Sequence, residues 1–219
     1  MIEFSLWDIL RNLLLATRWT LILSVIAIFG GGLIGFVLLI LRLLHIKPLG
    51  VMINLYVELF QGTPLLMQLF LFYFGLALFG IDTSVWISAS AALILYAAAY
   101  LTEIWSGCIR AVPKGQSLAA KSLGLNFIQE LKYIIFPQAY KLSIAPTVGF
   151  LVQLIKGTAL TSVIGFVELT KSASMISNVT FKPFLVFSSV ALIYFVICFP
   201  ISWLATRIES KMNLNTSPS

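Results

Sequence analysis

The sequence from Lys114 to Pro137, KGQSLAAKSLGLNFIQELKYIIFP, is a polar stretch inside a chain that is otherwise strongly apolar. It is rich in residues that favour helix, and a proline stands at each side. Gly124 can supply the positive backbone angle of a turn, and Ser117 and Asn126 can cap the helices before and after it. We therefore expect two short helices that do not span a membrane, with the second ending before Pro137.

The composition of the whole chain is that of a membrane protein. Its mean hydropathy is +1.02, 60% of its residues are hydrophobic and only 10% are charged, whereas about a quarter of the residues of a soluble domain are charged. The 14 Lys and Arg residues outnumber the 8 Asp and Glu residues. No basic run with interleaved aromatic residues indicates nucleic-acid binding, so we expect the positive charge to reflect membrane orientation.

Five apolar stretches are long enough to cross a bilayer, because about 20 helical residues span about 30 Å of hydrocarbon. They are residues 19–41, 59–81, 83–102, 142–167 and 183–206. The fourth is unusual because Lys156 interrupts it. We therefore expect an all-α membrane protein with five transmembrane helices.

The residues before the first span allow two interpretations. Their apolar and polar side chains alternate at helical spacing from Ser5 to Trp19. Such a helix can lie along the membrane interface as an amphipathic elbow, or it can simply extend the first span. We assign residues 1–16 to an interfacial or periplasmic segment and expect no signal peptide to be removed, since no small-residue cleavage pattern follows.

The basic residues between the spans are unequally distributed between the two sides of the membrane. Nine fall on one side, namely Arg42, Lys47, Arg110, Lys114, Lys121, Lys132, Lys141, Arg207 and Lys211, and four on the other, namely Arg11, Arg18, Lys171 and Lys182. Since cytoplasmic loops carry the excess of Lys and Arg, we expect the N-terminus outside and the C-terminus in the cytoplasm. The polar stretch around Gly124 is then cytoplasmic.

This polar stretch resembles the coupling loop of the permease subunits of ATP-binding-cassette (ABC) importers, whose pattern is E-A-A-x3-G-x9-I-x-L-P. The spacing is intact, with Leu118 in place of the glutamate and Phe136 in place of the leucine. Leu118 thus removes a carboxylate that, in the family, could pair with a cation on the ATPase, but an apolar contact remains possible. The alternative is an ordinary cytoplasmic loop that packs on its own bundle. By the resemblance, the residues that meet the ATPase are Gly115, Gln116, Leu118, Ala119, Ala120, Gly124 and Pro137.

Three further stretches are similar to permeases for polar amino acids. They are YVELFQGTPLLMQ at 56–68, YLTEIWSG at 100–107 and KGTAL at 156–160. Gln61 and Ser106 stand where arginine is usual, and Gly157 where aspartate is usual. The resemblance covers about residues 15–210 and implies a type I ABC importer permease. It would have a permease domain at 17–210, its coupling loop at 113–137 and a cytoplasmic tail at 211–219.

Polar residues within or near the spans are candidates for the substrate pathway, because such groups are costly in hydrocarbon and normally face a cavity or a partner. Interrupted helices, expected at Gly62 and at Gly157, expose backbone dipoles that can hold a zwitterion. We hypothesise that Lys156 attracts a carboxylate and that Glu58 or Glu168 attracts an ammonium group. Alternatively, Glu58 and Lys156 form a structural ion pair, or their side chains extend towards the lipid headgroups. The full set is Glu58, Gln61, Thr63, Gln68, Gln153, Lys156, Thr158 and Glu168.

Other polar residues of the chain are expected to have structural roles. Glu103 is expected to anchor the coupling loop through Lys114 or Arg110. The single His45 is expected at headgroup level. The isolated Cys108 and Cys198 are interpreted as packing residues rather than ligands of a metal.

The chain contains no G-x-x-x-x-G-K-[ST] phosphate loop, so we expect a transport subunit without a bound cofactor rather than an enzyme. The resemblance implies a dimer of ATPase subunits that hold ATP and Mg²⁺. It also implies a second permease, identical or homologous, and a periplasmic or lipid-anchored substrate-binding protein, all at a bacterial inner membrane. A subunit of a secondary transporter or ion channel is the alternative. Five unrepeated spans are too few, however, to enclose a pathway without a second subunit.

Overall fold

The computed structural model describes residues 5–44 and 46–214, with side chains up to residue 210. Within these ranges the chain is helical and contains no strand. Four helices are long and apolar enough to cross a membrane, or five if one bent pair is counted as a single span. The all-α membrane fold is therefore confirmed, while the prediction for His45 lies outside the described residues.

The first helix, α1, runs without interruption from Leu6 to Leu43. Ser5 and Asp8 form a capping box at its start, which satisfies two backbone groups reciprocally. Ile9 and Leu13 are buried in one cluster with residues of the last two helices. In the described residues, the segment predicted as an elbow is therefore not a separate element: it extends the first span because its apolar face packs on the bundle.

The second span, predicted for residues 59–81 with an interruption at Gly62, is broken at that point. Helix α2, Lys47–Gly62, and the segment that begins with α3, Leu65–Phe70, meet at an angle of 103°. Thr63 and Pro64 between them have extended backbone, because proline lacks the N–H of a helical residue and disfavours helix in the residue before it. The chain continues through a π-helical turn, Leu71–Gly75, into the short α4, Leu76–Leu78.

Helix α5, Val85–Ala111, packs along α1 through small residues. A Cβ atom added to Gly31 would lie only 2.5 Å from Cβ of Ala97, and one added to Gly35 would lie 3.1 Å from the carbonyl oxygen of Ala98. Glycines spaced four apart on α1 therefore allow the two backbones to approach closely. This contact forms the centre of the bundle.

The polar stretch forms α6, Lys114–Ser122, and α7, Phe127–Glu130. The first helix begins four residues earlier than predicted, with Pro113 at its N-cap, so Ser117 lies inside the helix rather than capping it. After α7 comes a π-helical turn, Leu131–Ile135.

The helix that begins with α7 does not end before Pro137, contrary to prediction. It continues through the π turn into α8, Phe136–Gly157, so residues 127–164 form one helical stretch. The N–H of Phe136 donates to the carbonyl of Leu131, five residues back. The wider turn accommodates Pro137, which has no N–H to donate.

The fourth span also continues through Lys156, which does not break it. Helix α8 ends at Gly157 and tightens into a 3₁₀ helix, Thr158–Ile164. Two further helices complete the fold: α9, Leu169–Thr180, and α10, Pro183–Leu214. The predicted tail thus begins inside α10.

Candidate coupling surface and translocation site

The turn of the coupling loop has the geometry that its sequence predicts. Gly124 has a φ of +74°, and the N–H of Leu125 donates to the carbonyl of Ala120 at 3.1 Å, closing the end of α6. Asn126 and Gln129 form a capping box, with their side chains accepting from each other's backbone N–H at 2.9 and 3.0 Å. The turn and the cap at Asn126 are confirmed.

The inner face of α6 is held on its own chain. Ala120 is 1% exposed, and the hydroxyl of Ser117 donates to the carboxylate of Glu130. Of the two alanines predicted to meet the ATPase, only Ala119 is exposed. Ala120 instead packs the coupling helix against the segment that follows it.

The outer face of the coupling loop carries most of the residues assigned to ATPase contact. Leu118 is 65% exposed. The others on this face are Gly115, Gln116, Ala119 and Gly124, and Pro137 is exposed on the helix beyond the π turn.

A cluster of charges joins three helices where α5 leads into the coupling loop. Oε1 of Glu103 lies 2.6 Å from Nη2 of Arg110, as predicted, and Oε2 lies 2.7 Å from Nη1 of Arg42. Arg42 also donates to Ser106 at 3.1 Å and to Asn54 on α2 at 2.6 Å. Lys114, the other predicted partner of Glu103, is not among its contacts.

The break in the second span is closed by side chains. Gln68 is buried, and its Nε2 donates to the carbonyl of Phe60 at 2.8 Å and to the carbonyl and hydroxyl of Thr63 at 3.1 and 2.9 Å. These bonds occupy carbonyls that the end of α2 leaves free. The buried Oε1 of Gln68 has no partner among the described side chains.

The start of α3, just after the break in the second span, contacts the end of α8. A Cβ atom added to Gly157 would lie 3.3 Å from Cδ2 of Leu65, the first residue of α3. Thr158, immediately after Gly157, is buried, and its hydroxyl donates to the carbonyl of Ile155 at 2.7 Å. The structure thus brings the break after Gly62 close to the point at which α8 tightens into a 3₁₀ helix. The interruption expected at Gly157 is therefore a change of helix type and not a break, because residues 127–164 stay helical.

The remaining polar candidates lie apart from one another. Glu58 is exposed on α2 and forms no ion pair with Lys156, since both ion pairs among the described side chains involve Glu103. The alternative of a structural Glu58–Lys156 pair is therefore wrong. Lys156 is exposed and lines an open cavity of about 530 Å³ against α10. Gln61 lines a second cavity, of about 410 Å³, together with Glu103.

Gln153 and Glu168 contact side chains of other helices. The exposed Gln153 lies 3.4 Å from the hydroxyl of Tyr96. Glu168 is fully buried at the N-cap of α9, where it accepts from the N–H of Lys171 at 2.9 Å. Its other oxygen accepts from the hydroxyls of Thr20 and Tyr194 at 3.2 and 3.3 Å. In this conformation Glu168 therefore links α1, α9 and α10.

The sequence from residue 39 to residue 214 matches the family described as the binding-protein-dependent transport system inner membrane component. The chain belongs to this family. It is therefore a multi-pass permease subunit of an ABC importer in the inner membrane, and ATP hydrolysis belongs to a separate subunit. The alternative of a secondary transporter or channel is not favoured.

Individual relatives agree with this family assignment over nearly the whole chain. The probable glutamine ABC transporter permease GlnM of Bacillus subtilis is 34% identical over 193 residues, covering 88% of this permease and 89% of the relative. The L-cystine transport system permease TcyB of the same organism is 31% identical, covering 97% and 90%. A solved structure of an amino acid ABC transporter with histidines superposes with a TM-score of 0.89 at 32% identity, covering 96% of this permease and all of that chain.

Sequence reasoning missed Arg42 and Asn54 as partners in the cluster of charged and polar side chains around Glu103. Arg42 is in the last turn of α1, and Asn54 lies within α2, the helix that follows. The available signal was that Arg42 and Glu103 carry opposite charges at span ends predicted to lie on the same side of the membrane. Such a pair is expected to form when both groups are partly withdrawn from water.

Proposed function

We propose that this permease translocates a polar amino acid or a related zwitterion across the bacterial cytoplasmic membrane. The observation that carries the proposal is the contact of the broken second span with the α-to-3₁₀ transition of the fourth span at Leu65 and Gly157, with the buried Gln68 and Thr158 beside them. Interrupted helices expose backbone dipoles that can hold both charged ends of a zwitterion. Relatives named for glutamine and cystine support this substrate class.

Within this proposal, Lys156 and nearby backbone N–H groups attract the substrate carboxylate, and Glu58 attracts its ammonium group. Both side chains are exposed and unpaired among the described residues, so neither has to give up an ion pair to bind substrate. Gln61, Thr63, Gln68, Gln153 and Thr158 provide polar lining. Glu168 would reach a substrate only after leaving Thr20 and Tyr194.

The proposed assembly contains two ATPase subunits, which hold ATP and Mg²⁺ and dock on coupling loop 113–137. A second permease, identical or homologous, completes the pathway, and a periplasmic or lipid-anchored protein delivers the substrate. We propose the N-terminus outside, with residues 1–16 near the interface, domain 17–210 in the membrane and tail 211–219 in the cytoplasm. The nine-to-four distribution of basic residues supports this orientation.

ATP and the loaded binding protein would have to favour the same outward-facing conformation of the permease. A ligand shifts a conformational equilibrium only by its differential affinity for the two states. Coupling therefore requires that closure of the ATPase dimer, transmitted through α6, stabilise the same arrangement of spans that the loaded binding protein recognises.

The test is reconstitution of the permease with its ATPase, and with a second permease if one is required, in nanodiscs. ATP hydrolysis would be measured with binding protein loaded in turn from a panel of basic, acidic, neutral and sulfur-containing amino acids. Stimulation by one loaded form would identify the substrate. Equal hydrolysis with empty protein and with every loaded form would contradict the proposed substrate class.

A further inference from the structure

The outward surface of the coupling loop is apolar at its centre and positive around it. Leu118, Leu123 and Ile128 are 65%, 78% and 73% exposed. Lys114 and Lys121 are exposed at either end of α6, and Lys132 is exposed on the π turn. We call these six residues the coupling face.

The loop presents no negative charge to balance the three lysines. Its single acidic residue, Glu130, is 8% exposed and accepts a hydrogen bond from Ser117 on the inner side of α6. None of the three lysines forms an ion pair with any side chain that the structure describes. Lys132 makes a different type of contact, a cation–π interaction in which its Nζ lies 5.2 Å from the centre of the Tyr133 ring.

Within the part of the chain that the structure describes, no other segment covers the apolar side chains of the coupling face. The capping box at Asn126 and the Ser117–Glu130 bond hold α6 and α7 with their large apolar side chains turned outward. Apolar side chains grouped on a polar segment indicate a surface that another protein covers. Position 118, which carries no charge, lies in the middle of α6, between the exposed Lys114 and Lys121.

We propose that the docking site on the partner ATPase is an apolar groove rimmed by carboxylates, with no cation facing Leu118. This inference rests on the proposed function and specifies the chemistry of the partner. Carboxylates at the rim would complement the three lysines, and an apolar floor would receive Leu118 and Leu123. A cation opposite Leu118 would be buried without a partner, which is strongly unfavourable.

The experiment uses the assembled transporter with a tagged permease. It measures the fraction of ATPase that remains bound to the permease as NaCl rises from about 50 to about 500 mM. Exposed charges are progressively screened over this range. Leu118→Glu and Leu118→Gln are compared, because they have nearly the same size and differ in charge. Lys121→Gln tests the positive rim. Lys182→Gln is the control, since Lys182 is an exposed lysine outside the coupling loop.

We expect Leu118→Glu to weaken ATPase binding by roughly tenfold relative to Leu118→Gln, because an unpaired carboxylate would be desolvated. Lys121→Gln should weaken it by about twofold to fivefold at low salt and make retention less sensitive to salt, as loss of one exposed ion pair would. Lys182→Gln should change nothing. Unfolding temperatures of all variants show whether a loss reflects docking or folding.

Tighter binding of Leu118→Glu would overturn the proposal, because it would reveal a cation opposite position 118. So would lysine variants that retain the ATPase fully but lose binding to phosphatidylglycerol vesicles, since the rim would then serve lipid headgroups. An unmodified permease that retains no ATPase at any salt concentration would instead contradict the proposed assembly itself.

Discussion

Arg42 at the end of α1 and Glu103 on α5 are 61 residues apart in sequence and 2.7 Å apart in space. Glu103 also holds Arg110 in the last turn of α5, immediately before the coupling loop. One carboxylate therefore bridges the end of α1 and the last turn of α5, in addition to the close packing of these two helices.

Replacement of this carboxylate, Glu103→Gln, should weaken both contacts. We expect a loss of about 1 kcal/mol in stability, since both pairs are partly solvent-exposed and such pairs contribute modestly. Thermal unfolding of the purified permease would measure it. Arg110→Gln should lower the stability less than Arg42→Gln, because Arg110 is more exposed and Arg42 also donates to Asn54 and Ser106. A larger loss of stability in Arg110→Gln would contradict this ranking.

The close approach of α1 and α5 gives a prediction with a matched control. Gly31→Ala should destabilise the permease by about 1–3 kcal/mol, because the new methyl group would overlap Ala97 and force the helices apart. Gly32→Ala, where the new Cβ would lie 4.0 Å from Cδ1 of Leu101, should be tolerated. Melting curves of the two variants in the same detergent would compare them, and equal curves would argue against tight packing at Gly31.

The side-chain closure of the second-span break predicts a specific role for Gln68. Gln68→Leu should cost about 1 kcal/mol, because the partly exposed carbonyls of Phe60 and Thr63 lose their donor. Import should fall as the break rearranges, which uptake into proteoliposomes would measure. Thr63→Ser keeps the hydroxyl that accepts from Gln68 and should retain most of the import; a loss as large as that of Gln68→Leu would count against the closure.

The proposed charge sites for the substrate predict changes in apparent affinity. Lys156→Met and Glu58→Gln should each raise the substrate concentration for half-maximal import by roughly tenfold, corresponding to about 1.4 kcal/mol. Assembly and basal ATP hydrolysis would be measured in parallel so that a folding defect is recognised. An unchanged apparent affinity in both variants would remove these two residues from the pathway.

Glu168 is expected to behave differently because its carboxylate is enclosed among Thr20, Tyr194 and the start of α9. Glu168→Gln keeps an oxygen that can accept from the N–H of Lys171, so apparent affinity for substrate should remain unchanged. Glu168→Ala removes the cap and should cost about 1 kcal/mol or more in stability. A large affinity change in Glu168→Gln, with stability intact, would return Glu168 to the substrate pathway.

The features that the sequence predicted correctly are local. Gly124 and Asn126 determine their turn through their own backbone preferences and through a partner three residues away, so their structure can be read without knowing the rest of the fold. The Glu103–Arg110 contact is also local, since it lies within two turns of one helix.

The features that were missed depend on distant parts of the chain or on a compensating irregularity. Pro137 normally indicates a helix end, but the π turn before it leaves room for the ring. The contact of Arg42 with Glu103 and the burial of Glu168 require the packing of helices far apart in sequence. Gly62 and Pro64 indicated a weakened second span, but nothing local to them determines an angle of 103°.

The helical stretch from residue 127 to residue 164 connects the turn at Gly124 to the region around Gly157. Its 38 residues correspond to roughly 57 Å at about 1.5 Å per residue. A tilt of about 5° at the end near Asn126 would carry the far end sideways by roughly 5 Å over such a length. If this stretch moves as one body, a small displacement near Asn126 produces a larger one near Gly157.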